Sequence, residues 1–263
     1  MTSTKVFAGV DIGSSYTKAV ILGADGRPRS SCTLRTGASF EGAASRALKK
    51  ALNSCALGTG ARVVSTGVGR ASVARADKRP TEITSIARGS FYHCPRRHVV
   101  VDIGGQDNKV VAVDDHGRAV YFKMNRKCAA GTGAFLEEIA HRLAISPGRL
   151  SRVAKTARGR VEIGSYCTVF TCTEIIHHIR QGKGAPEILM GCYESVVKRI
   201  LEMDALEGEV VLSGGVVANH PVVAEIFFEK LGRAPLVPNQ PQLVGALGAA
   251  LLGQESHDKN AQV

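Results

Sequence analysis

The sequence has few aromatic residues and no apolar run long enough to cross a membrane. Aromatic side chains make up 5% of the 263 residues, which argues against the stacking surfaces that bind single-stranded nucleic acid. A membrane span needs roughly 18 consecutive apolar residues. Lys5 and Asp11 bracket only a short apolar stretch, unlike a secretory signal. We therefore expect a cytoplasmic protein that binds neither membrane nor nucleic acid.

The cysteines lack the spacing of a metal site built within one chain. Seven occur, an odd number, and no Cys-x-x-Cys pair is among them. Disulfide frameworks use paired cysteines in an oxidising compartment, so we do not expect disulfides. The spacing also gives no indication of a single-chain zinc site or a ferredoxin-like cluster. We expect Cys55 and Cys192 to be apolar members of the core.

Acidic residues are the scarcer charged class. The chain has 34 Lys and Arg against 23 Asp and Glu, a net charge of +11. The basic residues are dispersed, apart from clusters at residues 70–79 and at Arg96 and Arg97. This distribution favours a solvated surface or a face for an acidic protein partner. With 44% hydrophobic residues, the chain can form one large or two ordinary domains.

Two stretches of the chain share one motif. Residues 9–22 reappear as residues 100–113, and each copy reads as an apolar strand, a small-residue turn and a second apolar strand. A Gly-containing hairpin turn follows each copy. We interpret the pattern as an internal duplication that favours two domains. The coinciding positions are Asp11 and Asp102, Ile12 and Ile103, Gly13 and Gly104, Lys18 and Lys109, Val20 and Val111, Gly26 and Gly117, and Arg27 and Arg118.

The small-residue turn in each copy is suited to bind phosphate. The first turn, residues 13–15, contains glycine and serine, and the second, residues 104–106, contains glycine and glutamine. Backbone N–H groups beside a glycine can bind an anion because no Cβ blocks its approach. Asp11 and Asp102 end the preceding strands and are placed to hold Mg²⁺ through its waters. The repeat therefore predicts a nucleotide site.

Two further loops each place a cysteine near the start of a predicted helix. Residues 125–133 contain Cys128 and lead into an amphipathic helix, and residues 165–174 contain Cys167 before another helix. The N–H groups and the positive dipole end of a helix N-terminus favour a thiolate. Residues 171–174 fit a capping box for the second helix.

The last third of the chain alternates strand and helix. A buried strand at residues 209–213 runs into Gly214 and Gly215, a turn that can lie flat against a purine or ribose because it has no side chains. Small residues in a predicted helix at residues 241–253 permit close packing. The hydrophilic stretch at residues 254–263 is expected to be a disordered tail.

Six stretches together resemble one family. They are Asp-Ile-Gly-Ser, Asp-Ile-Gly-Gly-Gln-Asp, Lys-Cys-Ala-Ala-Gly-Thr-Gly, Cys-Thr-Val-Phe, Ser-Gly-Gly-Val and Gly-Ala-Leu-Gly-Ala-Ala. From about residue 9 to residue 253 the chain resembles the ATPase activators (component A) of 2-hydroxyacyl-CoA dehydratases and the related ATP-hydrolysing subunits of benzoyl-CoA reductases (BadF/BadG/BcrA/BcrD type), within the actin/hexokinase/Hsp70-like superfamily.

The resemblance implies a duplicated α/β fold of the actin-like, ribonuclease H-like kind, with two lobes and a nucleotide cleft between them. Residues 1–95 would form the N-terminal lobe, and residues 96–240 the C-terminal lobe that carries the cysteines. The helix at residues 241–253 would be able to pack back on the first lobe.

The resemblance also implies a homodimer that shares one [4Fe-4S] cluster, to which each chain contributes Cys128 and Cys167. A cubane needs four cysteines. One chain supplies two at helix starts, and two chains about a two-fold axis supply the rest. Cys172 stays open as an alternative ligand.

In the implied mechanism, ATP hydrolysis drives an electron from ferredoxin or flavodoxin, at low potential, onto a dehydratase or reductase partner. These donors are typically acidic, which would give the basic surface a use. We favour Gln106 for orienting the attacking water, as in GTPases, over Asp107 as a base. The implied catalytic residues are Gln106, Asp11 and Asp102, with Mg²⁺; the implied ATP-binding residues are Gly13, Ser14, Ser15, Lys18, Gly104, Gly105, Gln106, Gly214 and Gly215.

Two other functions explain part of the sequence. A small-molecule kinase of the same superfamily, such as a sugar kinase, accounts for the phosphate turns but leaves Cys128 and Cys167 unexplained. It also needs a substrate-activating Asp that the sequence does not identify. A non-catalytic ATP-binding regulator would bind ATP without redox chemistry.

Overall fold

The computed structural model describes residues 6–55, 60–125, 132–164 and 168–260. The chain forms two compact units. The first comprises Met1–His98, Val111–Tyr121 and Gln242–Val263, and the second comprises Val99–Val110 and Phe122–Pro241. None of the helices in the described ranges is both long and apolar enough to span a membrane.

The first sheet has four strands in the order β3-β2-β1-β4. Strands β1 and β2 are antiparallel, as are β2 and β3, whereas β1 and β4 are parallel. A parallel neighbour requires a crossover connection, and helix α1 provides it between β3 and β4. The bounds are β1 Phe7–Ile12, β2 Tyr16–Leu22, β3 Pro28–Arg35, α1 Phe40–Asn53 and β4 Arg62–Thr66.

Helix α1 is capped by a serine and buries a face of alanines. The Ser39 side chain caps it by accepting a hydrogen bond from Gly42 N, an interaction typically worth about 1 kcal/mol. Its alanine face, which includes Ala43 and Ala47, is fully buried. Cys55, just past the end of α1, is half-buried and packs against the core beneath this helix.

The second sheet repeats the strand order of the first. Its order is β7-β6-β5-β8, and β5 and β8 are parallel. The repetition agrees with the duplication expected from the sequence. The bounds are β5 His98–Ile103, β6 Asn108–Val113, β7 Ala119–Asn125 and β8 Val210–Ser213.

The helices of the second unit enclose its apolar core. Tyr193, Val196 and Ile200 of α6 are fully buried in it. Cys192 lies in the same face of α6 with no exposed surface, so its predicted core position is confirmed. The bounds are α3 Gly133–Arg142, α4 Leu150–Ala154, α5 Thr168–Arg180, α6 Ala185–Met203, α7 Gly215–Asn219 and α8 Val222–Leu231.

Two helices of the first unit approach each other at the backbone. These are α2, Glu82–His93, and α9, Val244–Asn260. A Cβ added to Gly89 would lie 1.9 Å from Val244 O, and one added to Gly248 would lie 1.7 Å from Ser85 O. Glycine is therefore required at both contacts.

Helix α9 is longer than the sequence predicted. It runs to Asn260, whereas we expected a helix ending at residue 253 and a disordered tail. The extension is held by hydrogen bonds to distant parts of the same unit: Gln254 Nε2 donates to Ala24 O at 2.9 Å, and Arg88 pairs with Glu255. These partners lie far away in sequence, so local composition did not reveal them.

Candidate functional site

The first turn of the repeat joins β1 to β2 and is closed by its glycine. Gly13 N donates to Tyr16 O at 3.1 Å, and a Cβ on Gly13 would lie 2.8 Å from the same oxygen. Ser14 is exposed and Ser15 is half-buried. The turn therefore presents a hydroxyl to solvent on a tightly closed backbone, as expected for a phosphate turn.

A threonine at the end of β3 anchors the first turn. Thr36 is fully buried. Its N donates to Ser15 O at 3.0 Å, and its Oγ1 donates to Gly13 O at 2.8 Å. No local sequence pattern indicated this residue, because its partners lie in the turn between β1 and β2, far away in sequence.

Asp11 lies directly opposite Lys18 in the β1–β2 register. Lys18 Nζ donates to Asp11 Oδ2 at 3.1 Å, and both side chains are largely buried. Lys18 therefore contacts the carboxylate that was predicted to hold Mg²⁺; its predicted contact with the nucleotide stays a prediction. Glycines surround the other edges of this carboxylate: a Cβ on Gly67 would lie 2.6 Å from Asp11 Oδ1, and one on Gly245 would lie 3.4 Å from Oδ2.

The second turn joins β5 to β6 and closes in the same way. Gly104 N donates to Asp107 O at 2.9 Å, and a Cβ on Gly104 would lie 2.9 Å from that oxygen. Gln106 is exposed at the turn, whereas Asp107 is half-buried. Lys109 Nζ donates to Asp107 Oδ1 at 2.6 Å.

Asp102 is tied to the neighbouring parallel strand. Ser213 Oγ, at the end of β8, donates to Asp102 Oδ1 at 2.8 Å. Lys109 Nζ lies 3.9 Å from the other oxygen, Oδ2. A carboxylate held on both sides keeps one orientation, which suits the binding of a hydrated cation.

Helix α3 starts against the second turn. Gly133 N donates to Gly104 O at 2.9 Å, and Ala134 N donates to Gly105 O at 2.8 Å. The first N–H groups of a helix have no partner within the helix. Here the turn supplies two acceptors, so the start of α3 is fixed to the second turn itself.

One glycine after each parallel strand packs on the Asp-Ile-Gly segment. Gly67 follows β4 with φ of 91°, and Gly214 follows β8 with φ of 98°. A Cβ on Gly67 would lie 2.4 Å from Ile12 O, and one on Gly214 would lie 2.3 Å from Ile103 O. The two units thus share a device that the sequence did not reveal, because residues 67 and 214 fall outside the duplicated stretch.

Gly215 differs from Gly214 in its surroundings. A Cβ on Gly215 would have no atom within 4 Å, so the backbone there is open to an approaching group. Gly214, by contrast, is required by packing. Placement of both glycines beside the nucleoside stays a prediction.

Cys128 and Cys167 lie outside the described residues. The elements that flank them are described: β7 ends at Asn125, α3 begins at Gly133, and α5 begins at Thr168. Within the described ranges, no three His, Cys, Asp or Glu side chains come close enough together to hold a metal ion. Whether the two cysteines meet stays a prediction.

The capping box predicted at residues 171–174 is wrong. Helix α5 already begins at Thr168, so Thr171 lies inside it and is fully buried. Glu174 Oε2 accepts a hydrogen bond from Gly164 N at 3.0 Å instead. Cys172, which was left open as a cluster ligand, lies in α5 and is 5% exposed. Its neighbour Cys192 is buried as well, and this burial raises the pKa of the Cys192 thiol to about 12.

Comparison with known families identifies one match over most of the chain. Residues 8–253 match the BadF/BadG/BcrA/BcrD ATPase family. A 2-hydroxyisocaproyl-CoA dehydratase activator from Clostridioides difficile is 38% identical over 248 residues, which cover 92% of this chain and 92% of that protein.

Solved structures agree with the sequence match. The crystal structure of (R)-2-hydroxyglutaryl-CoA dehydratase component A from Acidaminococcus fermentans has a TM-score of 0.91 and 32% identity, covering 97% of this chain and 100% of that one. The activator of the 2-hydroxyisocaproyl-CoA dehydratase from Clostridium difficile with bound ADPNP has a TM-score of 0.89 and 34% identity, covering 98% and 97%. These likenesses confirm the expected actin-like α/β fold.

Proposed function

Because the chain belongs to the BadF/BadG/BcrA/BcrD ATPase family, we propose that it is an ATP-dependent activator that delivers low-potential electrons to a 2-hydroxyacyl-CoA dehydratase-type partner. The observation that carries the proposal is the pair of closed glycine turns, each beside a fixed carboxylate. The similarity over nearly the full length to a dehydratase activator supports the choice of partner.

ATP binding is assigned to the two turns. In the first unit, Gly13, Ser14 and Ser15 would bind phosphate through N–H and hydroxyl groups; in the second, Gly104 and Gly105 would do so. Asp11 and Asp102 would hold Mg²⁺ through its waters, and Mg²⁺ would offset the phosphate charge. The arrangement fits this ion because both carboxylates are oriented by hydrogen bonds. The ADPNP-bound relative supports the nucleotide assignment.

Gln106 is our choice for orienting the attacking water. Its side chain is exposed at the tip of the second turn, whereas Asp107 Oδ1 accepts a hydrogen bond from Lys109 at 2.6 Å. A carboxylate bound to an ammonium is oriented by that ammonium, so it is poorly placed to turn toward a substrate water. An amide can both donate to and accept from water, as the GTPase glutamine does.

A [4Fe-4S] cluster is assigned to Cys128 and Cys167 of each chain in a homodimer. When bound, such a cluster supplies one-electron transfer at low potential. Helix α5, which follows Cys167 directly, supports a dimer because it exposes three large apolar side chains among its polar ones. Phe170 is 66% exposed, and Ile176 and Ile179 are about half exposed; a second copy of this chain would cover them.

We infer a physical link from the second turn to the residues that precede α3. Gly133 and Ala134 donate to the carbonyl groups of the second turn, and the loop that contains Cys128 ends where α3 begins. A change in the turn when ATP is hydrolysed would therefore shift the start of α3. Two-state hinge motions of this kind couple hydrolysis to distant elements.

The electron donor is assigned to the ferredoxin or flavodoxin class, acting in the cytoplasm. These proteins are typically acidic, and this chain has a net charge of +11. Opposite charges raise the rate of encounter between two proteins, and the effect falls with ionic strength.

The cluster assignment is tested on protein purified without oxygen. We expect a brown dimer with about four iron and four sulfide per dimer and an electron paramagnetic resonance signal after dithionite reduction. Cys128→Ala and Cys167→Ala should abolish that signal, because each removes two of the four ligands from a symmetric dimer. Cys192→Ala is the matched control, since Cys192 is buried in the core.

Activity with the partner completes the test. The wild-type protein, ATP and a reduced donor should activate a purified dehydratase, and the non-hydrolysable ADPNP should not. A Cys128→Ala protein that keeps its cluster would refute the ligand assignment. A colourless monomer that phosphorylates a sugar would refute the activator function and favour the kinase alternative.

A further inference from the structure

Each phosphate turn is followed by a lysine at the same place in the repeat. Lys18 binds one carboxylate, that of Asp11, at 3.1 Å. Lys109 lies near two: its Nζ is 2.6 Å from Asp107 Oδ1 and 3.9 Å from Asp102 Oδ2. Lys109 therefore lies within ion-pair distance of the two acidic residues that flank the second turn.

The two lysines also differ in burial. The Lys109 side chain is 4% exposed, against 16% for Lys18. A buried charge persists in a folded protein when it is paired and hydrogen-bonded. Two carboxylates close to each other repel unless a cation lies near both. The Lys109 ammonium meets this need within the fold.

We propose that Lys109 is a positioning residue for ATP hydrolysis, acting as the built-in monovalent cation of the second phosphate turn. This inference rests on the proposed ATPase function. The ammonium fixes Asp107 and, with Ser213, limits Asp102 to one orientation. Lys109 thereby orients Asp102 toward hydrated Mg²⁺ and holds the turn from which Gln106 contacts the attacking water. Lys109 itself does not contact the phosphates.

Two substitutions separate charge from packing. Lys109→Ala removes the ammonium and leaves space for a free ion beside the two carboxylates, whereas Lys109→Met fills that space without charge. In sodium buffer, both variants should lose about 10- to 100-fold in kcat, the cost of a misplaced site. Potassium or ammonium chloride should restore most of the activity of Lys109→Ala, with saturation. Neither salt should restore Lys109→Met, because its side chain occupies the ion's place.

The matched control is Lys18→Ala. Lys18 faces a single carboxylate and is more exposed, so water can take its place. Lys18→Ala should lose less activity and should show no preference for potassium over sodium. The wild type should be equally active in both salts at one ionic strength.

Thermal unfolding gives a readout that does not depend on ATP hydrolysis. Lys109→Ala should unfold at a higher temperature in potassium than in sodium, and Lys109→Met should not. The inference is overturned if Lys109→Ala keeps wild-type activity in sodium, or if potassium changes neither its activity nor its unfolding temperature. A wild-type protein that hydrolyses no ATP would instead refute the proposed function, and the unfolding comparison would still test Lys109.

Discussion

The two glycine turns have the same place in the repeat but are anchored to different structures. The first turn is held by Thr36, at the end of a strand of its own sheet. The second is held by α3, whose first two residues donate to the turn's carbonyl groups. The first turn is therefore tied to the edge of a sheet, whereas the second is tied to the first residues of a helix. The two units thus share a closed glycine turn, and in the part of the chain that the structure describes only the second turn is hydrogen-bonded to the start of a helix.

Substitution of the glycines that follow β4 and β8 tests whether both units depend on the same close backbone contact. Gly67→Ala and Gly214→Ala should each destabilise the protein by more than about 2 kcal/mol, because each combines a positive φ with a Cβ less than 2.5 Å from a carbonyl oxygen. Chemical denaturation would measure the loss. Gly215→Ala is the control, since its Cβ would enter open space.

Equal losses at residues 67 and 214 would show that both units depend on the same close contact. A loss below about 0.5 kcal/mol at either position, within the range of ordinary surface substitutions, would show that this contact has relaxed in that unit.

The link between the second turn and α3 can be broken without breaking the helix. Proline is tolerated in the first turn of a helix but has no N–H group. Ala134→Pro should therefore remove the hydrogen bond to Gly105 O while α3 stays formed. We expect ATP hydrolysis to persist and activation of the partner per ATP hydrolysed to fall about tenfold, the equivalent of one hydrogen bond of about 1.4 kcal/mol.

Ala134→Gly is the matched control, because it keeps the N–H group. A loss of hydrolysis and activation in equal proportion in Ala134→Pro would show that the hydrogen bond supports the turn alone and does not transmit its state.

Among the residues that the structure describes, no serine or threonine donates to Asp11 as Ser213 donates to Asp102. Ser213 Oγ donates to Asp102, whereas Thr66 Oγ1, at the end of the corresponding strand of the first unit, donates to Pro80 O at 3.2 Å. Ser213→Ala should raise the Mg²⁺ concentration needed for half-maximal hydrolysis about fivefold, since a hydrogen bond to a carboxylate orients it. Thr66→Val should leave this requirement unchanged. The opposite ranking would mean that Asp11 carries the ion.

Local patterns predicted the strands, the duplication and the closed turns, because each depends on residues close together in sequence. The contacts between distant segments were not predictable in this way. No local signal joins Gly104 to Gly133 or Ser213 to Asp102, since sheet pairing and helix docking create these contacts. The capping box failed for the same reason: residues 171–174 have the right spacing, but the helix begins earlier and packs Thr171 into the core.

Thr36→Val is expected to have the smallest effect on activity among the substitutions compared. Thr36→Val keeps the shape of the side chain and the N–H bond to Ser15 O, but loses the hydroxyl bonds to Gly13 O and to Thr17 Oγ1. Water can replace the lost donor at half-buried Gly13 but not the lost partner of Thr17, which is fully buried, so we expect a loss of about 1–2 kcal/mol in unfolding free energy. The KM for ATP should rise slightly, and activation of the partner per ATP hydrolysed should stay the same. A fall in that ratio would show that the first turn also transmits the state of the nucleotide, and that the two anchors do not differ in function.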